Sequence, residues 1–311
     1  MRILLWHVHG SWTTSFVQGG HTYLLPVVAD RGPDGRGRAQ TWDWPASAVE
    51  VTRDELRDTD VDVVVLQRPE ELTHLAEAWL GRRPGRDIPA VYLEHNTPQG
   101  RIAEMRHPAA DQPDLAIVHV THFNELFWDC GGTPTTVIEH GIVDPGYRYT
   151  GELPRAAVAI NEPMRRWRVT GTDLLARFEQ GAPLDVFGMK VGELGGYEDL
   201  PQAALHAEMA RRRVYLHPMR WTSLGLSLLE AMHLGMPVVG LAATDITEAV
   251  PAEAGVVSTN VDTLVHALRD LVGDPEQARV MGKSARAAAL ARYGLDRFLH
   301  EWDALLTEVV R

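Results

Sequence analysis

Short runs dense in Val, Ile and Leu recur along the chain, and between them apolar residues return at helical spacing. The runs in the first half are "RILLWHV", "VDVVVL", "AVYLEH", "LAIVHV" and "TTVIEH"; those in the second are "AAVAI", "PLDVFG", "RVYLHP" and "PVVGLA". None alternates cleanly between apolar and polar, which predicts strands buried on both faces of a parallel sheet. The helical stretches are "EELTHLAEAWL", "HFNELFWDC", "TDLLARFEQ", "QAALHAEMARRR" and "SLLEAMHL". Strand–helix alternation of this kind predicts βαβ units and a doubly wound α/β architecture.

The alternation breaks at "VDPGYRYTGELPR", where Pro145, Gly146, Gly151 and Pro154 mark a linker. Two halves of similar construction follow, 1–148 and 149–311, and the C-terminal stretch reads as two helices broken at Gly294. Two doubly wound domains would face a central cleft at the carboxyl ends of their strands, where open α/β sheets bind ligands.

The chain has 311 residues, enough for two domains, with 45% hydrophobic and 23% charged residues. A net charge of −12 argues against nucleic-acid binding and general adhesion to anionic membranes. A local basic patch such as Arg211–Arg213 still leaves peripheral membrane contact open. The single cysteine, Cys130, excludes an internal disulfide framework and a Cys-based zinc site, and suits a reducing cytoplasm. No apolar run approaches the ~18 residues of a membrane span, and the N-terminal "MRILLWHVHG" reads as a strand rather than a signal peptide.

The stretch "RWTSLGLSLLEAMHLGMPVVG", Arg220 to Gly240, carries the most chemistry. Thr222 and Ser223 can cap a helix, and Gly235 and Pro237 end it. The backbone of Leu224, Gly225 and Leu226 would offer N–H groups and a positive dipole end to an anion. Glu230 lies two turns further on, among Leu228, Leu229, Ala231 and Met232. Burying its carboxylate is costly unless it is hydrogen-bonded, and a ribose offers two vicinal hydroxyls. Thr222 to Glu230 would span about 12 Å as a helix, comparable to a sugar–diphosphate–ribose. The plain alternative is a glutamate paired with a neighbouring arginine or lying at the helix's solvent edge.

"HPMRWTSLGLSLLEAMHLGMPVV" resembles the donor-site signature of retaining GT-B glycosyltransferases, specifically glycosyltransferase family 4, the group 1 type. That signature has two glutamates with seven residues between them, then a small-residue ending before a strand. Glu230 matches the second, which in the family binds the nucleotide's ribose. The first falls on Thr222, a departure at the position that contacts the transferred sugar. "TPTTVIEHGIVDP", "TGTDLLARFEQGAPLDVFG" and "LVGDPEQARVMGKSARAAALARYGLDRF" are similar to further family segments, so the resemblance covers most of the chain. It implies an acceptor-side domain 1–148, a nucleotide-sugar domain 149–293, and a helix 294–311 crossing back to the first.

The resemblance points to further residues. In "VQGGHTYLL", Gly19 and Gly20 are expected to begin a helix after the first strand, where the family has a glycine pair contacting donor phosphate and acceptor; an ordinary strand–helix turn is the alternative. In "YLEHNTP", His95 stands at a strand's C-terminal end, where the family often has an active-site histidine. His7 and His9 share a face of the first strand's end without a third metal ligand. His122 is either a site residue or a helix cap, His119 and His140 are further candidates near strand ends, and the remaining histidines read as surface residues. A diphosphate leaving group needs cations. The family uses an arginine and a lysine, but the lysine's position falls near Thr170, so Arg165, Arg166 and Arg168 are candidates to substitute, against a solvated basic loop. Gly188 and Lys190 end a strand where family loops contact the base, and Asp245 and Glu248 sit on a loop near the donor.

Six of the nine tryptophans lie in the first half. Trp12, Trp42 and Trp44 are acceptor-stacking candidates, whereas Trp6, Trp79 and Trp128 read as packing. Asp60-Val61-Asp62 reads as a turn rather than a metal motif, so no metal and no cofactor beyond the nucleotide-sugar co-substrate are expected. The expected activity is retaining, metal-independent transfer from a nucleotide-diphosphate sugar to a hydroxyl of a glycan or small-molecule acceptor, in the cytoplasm. The rivals are a non-catalytic nucleotide-sugar-binding partner, a GT-B epimerase, which would need clustered carboxylates, and a phosphorylase.

Overall fold

The computed structural model describes residues 1–311, which divide into two compact units, Met1–Gly141 with Leu295–Arg311, and Ile142–Gly294. The first holds β1 (Arg2–Leu5), β2 (Thr22–Pro26), β3 (Ala48–Val51), β4 (Val63–Leu66), β5 (Ala90–Glu94), β6 (Ala116–His119) and β7 (Thr135–Val137). They form one sheet in the order β3-β2-β1-β4-β5-β6-β7, with every pair parallel. The second holds β8 (Leu153–Ala159), β9 (Leu184–Gly188), β10 (Tyr197–Glu198), β11 (Arg212–His217), β12 (Val238–Leu241) and β13 (Gly255–Ser258). Its order is β10-β9-β8-β11-β12-β13, again all parallel. Both are Rossmann-like, and in each the order reverses beside the first strand. Ligands of such sheets bind outside the strand C-termini at that switch point, which singles out the loops after β1 and β4, and after β8 and β11.

The nine apolar runs all become strands. The sequence reading did not include β2, β3, β10 and β13. β2 follows a glycine pair that reads as a helix start, β3 and β13 are four-residue strands, and β10 has only two residues, both exposed. The first helix is Gly10–Phe16, so Gly19 and Gly20 lie after it, in the turn that enters β2. They therefore stand at the N-terminal edge of a parallel sheet, the edge opposite the switch point. Asp62 shares that edge: its carboxylate accepts the Arg2 N–H at 2.6 Å, as a turn residue would.

Glu70–Leu80 carries a π-helical turn, Glu71–Leu75, before Ala76–Leu80. Here Glu71 turns inward, fully buried, and accepts the Gln67 N–H at 2.7 Å and Arg68 Nε–H at 2.6 Å. In the second unit the Leu226–Leu234 helix packs on Pro275–Arg292 so closely that a Cβ at Gly282 would come within 2.0 Å of the Gly235 carbonyl. No helix is long and apolar enough to cross a membrane.

The Leu295–Val310 helix belongs to the first unit. Phe298, Trp302 and Leu306, at four-residue spacing, are buried in it. The Trp302 ring lies 5.6 Å from Trp12 and 5.1 Å from Phe16. Arg297 anchors the helix start by donating to the carbonyls of Glu139 at 3.1 Å and His140 at 2.7 Å. Trp302→Ala is expected to cost roughly 3–5 kcal/mol, the usual loss for emptying a buried aromatic site. Urea unfolding of the whole chain measures it, and a loss under about 1 kcal/mol would mean that this helix is not a core element.

Candidate functional site

In the first unit, the loop after β1 runs Trp6 to His9 and leads into Gly10, which lies under Trp42. A Cβ at Gly10 would come within 2.5 Å of that indole ring. His9 stacks obliquely on His95, ring centroids 4.1 Å apart. His95 follows β5 directly, is buried, and has Nε2 2.9 Å from Oε1 of Gln67, the residue that follows β4. Burial, helped by the nearby His9 and His140 rings, pushes the His95 imidazole well below the usual histidine range. Burial also lowers His140 to about 3, with His9 and Arg297 adding to the effect. The switch point of this sheet thus carries neutral imidazoles rather than charges. Sequence reasoning singled out His95 but missed Gln67, because a glutamine after an apolar strand carries no motif.

Two acceptor candidates are placed otherwise than expected. Trp12 is a core residue, 1% exposed, packed against Phe16, His95, Phe298 and Trp302. Trp44 is also buried; its Nε1–H donates to Thr14 Oγ1 at 2.8 Å and its ring meets His7 edge-on. Trp42, half-buried over Gly10, remains. His122 is exposed at the C-terminal side of β6 and pairs with Glu125 at 3.5 Å, while Thr121 is the cap, accepting from Asn124 N–H. Trp6 and Trp79 pack edge-on in the core, as expected.

In the second unit, Gly225 is the N-cap of the Leu226–Leu234 helix. Thr222 and Ser223 precede the cap, so Glu230 is the fifth helical residue, one turn in rather than two. Gly225 is required by close approach rather than by a left-handed backbone. Its φ is −70°, but a Cβ there would meet His217 Cε1 at 2.6 Å. The N–H groups of Leu228 and Leu229 turn to the Gly225 carbonyl, which leaves those of Leu226 and Ser227 as the helix's open donors. Leu224, by contrast, is a buried packing residue. Glu230 is buried, with His206 Nε2 3.4 Å from its carboxylate and Gln202 within 2.8 Å of the same imidazole nitrogen. An imidazole thus stands beside the carboxylate. His206, His217, His107 and His233 are buried, against the surface placement expected of them. Each packs under a helix or at a strand end, which sequence alone does not reveal.

The cations of this edge are mostly spoken for. Glu162, in the loop after β8, accepts from Arg165 Nε–H at 3.0 Å and from Lys190 at 2.9 Å, and these two hold its carboxyl down to about 2. Arg168 pairs with Asp173 at 3.3 Å, and Arg220 takes the same carboxylate at 2.5 and 2.9 Å. Arg166 is different: half-buried, its guanidinium forms no ion pair, and burial, with Arg165 beside it, pulls its pKa down. Thr170 is buried, its Oγ1 2.8 Å from that of Thr172, so a hydroxyl chain fills the space. Gly188 has φ +137°, and a Cβ there would strike the Ile160 carbonyl at 2.0 Å, which brings Lys190's loop against the loop after β8. Asp245 is buried at the N-cap of Ile246–Ala249, and its N–H donates to the Ser223 carbonyl at 3.4 Å, which ties this loop to the one before the Leu226–Leu234 helix.

Residues 196–288 match the family model described as "Glycosyl transferases group 1". No curated protein sequence matches the chain. Among solved structures, a sucrose-phosphate synthase from Thermosynechococcus elongatus is 14% identical, with TM-score 0.71, over 99% of this chain and 98% of that one. HepE from Anabaena, in complex with UDP, is 14% identical with TM-score 0.71, over 99% of this chain and 100% of that one. The pneumococcal O-GlcNAc transferase GtfA, in complex with UDP and GlcNAc, is 14% identical with TM-score 0.63, over 83% of this chain and 60% of that one. The second unit thus carries a glycosyltransferase group 1 segment that includes Glu230, and the two Rossmann-like domains have the GT-B fold of these glycosyltransferase structures.

The buried imidazoles generate a pH dependence. A histidine whose folded pKa is depressed binds fewer protons folded than unfolded, so stability is complete above the unfolded value and falls as pH drops below it. His140, at about 3, and His217, lowered to about 4 by burial, define the window together with His95. Unfolding free energy should be flat near neutrality and fall below pH ~6.5 by up to about 1.4 kcal/mol per pH unit for each of these groups. Urea midpoints from pH 8 to 4.5 test this, and a chain that gains stability on acidification would contradict the neutral assignment.

Proposed function

We propose that the chain transfers a sugar from a nucleoside-diphosphate donor to an acceptor hydroxyl, with retention of anomeric configuration, as a glycosyltransferase family 4 type enzyme. The observation that carries this reading is Glu230, a carboxylate buried one turn inside a glycine-capped helix beside the switch point of a parallel sheet. The ribose hydroxyls donate to that carboxylate, the Leu226 and Ser227 amides meet the phosphates, and Arg166 supplies the unpaired cation. Arg165, Arg168 and Lys190 reach the phosphates only by leaving Glu162 or Asp173. Gly188 positions the loop that meets the base, and Thr222 lies where the family contacts the sugar. In the first unit, His95 serves the sugar and Trp42 the acceptor; Gly19, Gly20, Trp12 and Trp44 are given no part. Reaction without a metal follows from assigning the diphosphate's charge to these donors and to Arg166. Uridine diphosphate is the first nucleotide to try, since HepE and GtfA bind it. A cytoplasmic place of action, with the membrane touched peripherally if at all, completes the proposal.

A second reading is a non-catalytic nucleotide-sugar-binding partner. It is favoured by Glu162, which neutralises two of the cations that a leaving diphosphate would use. Donor hydrolysis or transfer by the pure chain separates the two.

Glu230→Ala should weaken nucleotide binding by roughly 1.5–3 kcal/mol, the usual value of hydrogen bonds to a charged group. Titration of UDP, GDP, dTDP and ADP against both forms, with and without EDTA, measures it. One nucleotide is expected to bind equally with EDTA and to lose affinity in the mutant. Equal affinity in a folded mutant would sink the ribose assignment, and loss with EDTA the metal-free one. Arg166→Ala should weaken nucleoside diphosphate more than nucleoside, by at least about 1 kcal/mol. An equal effect on both would remove the arginine from the phosphate site.

A further inference from the structure

We infer that Gln67 locks His95 as its Nε2–H tautomer, so that the ring's other nitrogen, Nδ1, acts only as a hydrogen-bond acceptor. The Trp6 carbonyl lies 2.7 Å from one terminal atom of the Gln67 amide. A carbonyl oxygen can only accept, so that atom is the amide nitrogen and the orientation of the amide is settled. Gln67 Oε1 is then the atom 2.9 Å from His95 Nε2. An amide oxygen also only accepts, so Nε2 must carry the proton. The reverse tautomer would set two lone pairs against each other at a buried contact, since Gln67 is 4% and His95 6% exposed.

The lock is itself held. Gln67 follows β4 directly, and its own N–H donates to the buried Glu71 carboxylate at 2.7 Å. The π-helical turn at Glu71–Leu75 is where that carboxylate folds back. Trp6 follows β1, so the three residues tie together the C-terminal ends of β1, β4 and β5. The depressed pKa of His95 agrees: a neutral ring has one donor and one acceptor, and Gln67 has used the donor.

This restricts the chemistry at His95. A neutral Nδ1 can receive a proton or a hydrogen bond but cannot give one. It therefore suits a hydroxyl, which donates, and not a phosphate or carboxylate oxygen, which at neutral pH has no proton to offer. On the transferase reading above, on which this step rests, His95 meets a sugar hydroxyl rather than the diphosphate. Gln67 is a positioning residue, acting through His95.

Ring-15N-labelled whole chain, read by long-range 1H–15N correlation NMR with His95→Asn to identify the signal, tests the tautomer. At pH 7 one protonated Nε2 and one lone-pair-bearing Nδ1 are expected. An Nδ1–H pattern, a tautomer average or a protonated ring would overturn the inference, whether or not Gln67 variants fold. Gln67→Met should relax the pattern toward an average, and an unchanged pattern would show that Gln67 is not the lock. For transfer, Gln67→Met should lower kcat by roughly 10–100-fold, as a mispositioned reacting group does, with nucleotide affinity unchanged. Unchanged kcat with a relaxed tautomer would remove its positioning role. If no transfer is found in the wild type, the transferase reading fails while the NMR result still decides the tautomer.

Discussion

Every strand in both sheets runs parallel to its neighbours. A parallel strand cannot return by a hairpin, so each connection must cross a face of the sheet as a helix or loop. Each unit therefore collects all its strand-to-helix turns on a single edge, and everything of chemical interest is gathered there. In the first unit that edge brings together residues that follow β1, β4 and β5; in the second, residues that follow β8, β9 and β11. The opposite edge receives the turns that enter strands, and that is where Gly19 and Gly20 fall.

The two edges solve the cost of buried polar groups differently. In the first, burial strips charge from imidazoles, and an amide supplies the partner that a neutral ring needs. In the second, charges are kept and paired: Glu162 with Arg165 and Lys190, Asp173 with Arg168 and Arg220. Glu230 lies beside a buried histidine, His206. Arg166 is the exception, and an unpaired half-buried cation at a switch point is the arrangement an anionic ligand would complete.

Much of this was legible in the chain. Apolar runs named nine strands correctly because a strand buried on both faces has little freedom in composition. Glu230 stood out because a carboxylate in so apolar a helix costs free energy unless something receives it. His95 was singled out by its place at a strand end, and it does follow β5 directly. The misplacements have two causes. Gly19, Gly20 and the neighbouring Trp12 were judged against a helix expected to start at the glycine pair, and Trp44 by its residue type in a loop, although its ring is buried. The first helix opens at Gly10, not at the glycine pair, and the helix that holds Glu230 opens at Leu226, capped by Gly225 rather than by Thr222 or Ser223. A first helix that opens well before the glycine pair puts Trp12 on its buried side and leaves Gly19 and Gly20 in the turn that enters β2.

By itself the sequence determined the strand–helix alternation, the two-domain α/β class and the presence of one anomalous buried carboxylate, because periodicity and the cost of burial are local properties. Tertiary structure alone decided which cations are already paired, which tryptophans fill the core, and that Gln67 meets His95 across 28 positions of chain. Those outcomes depend on which strand ends lie side by side, and strand order is a property of the folded sheet that no local pattern carries.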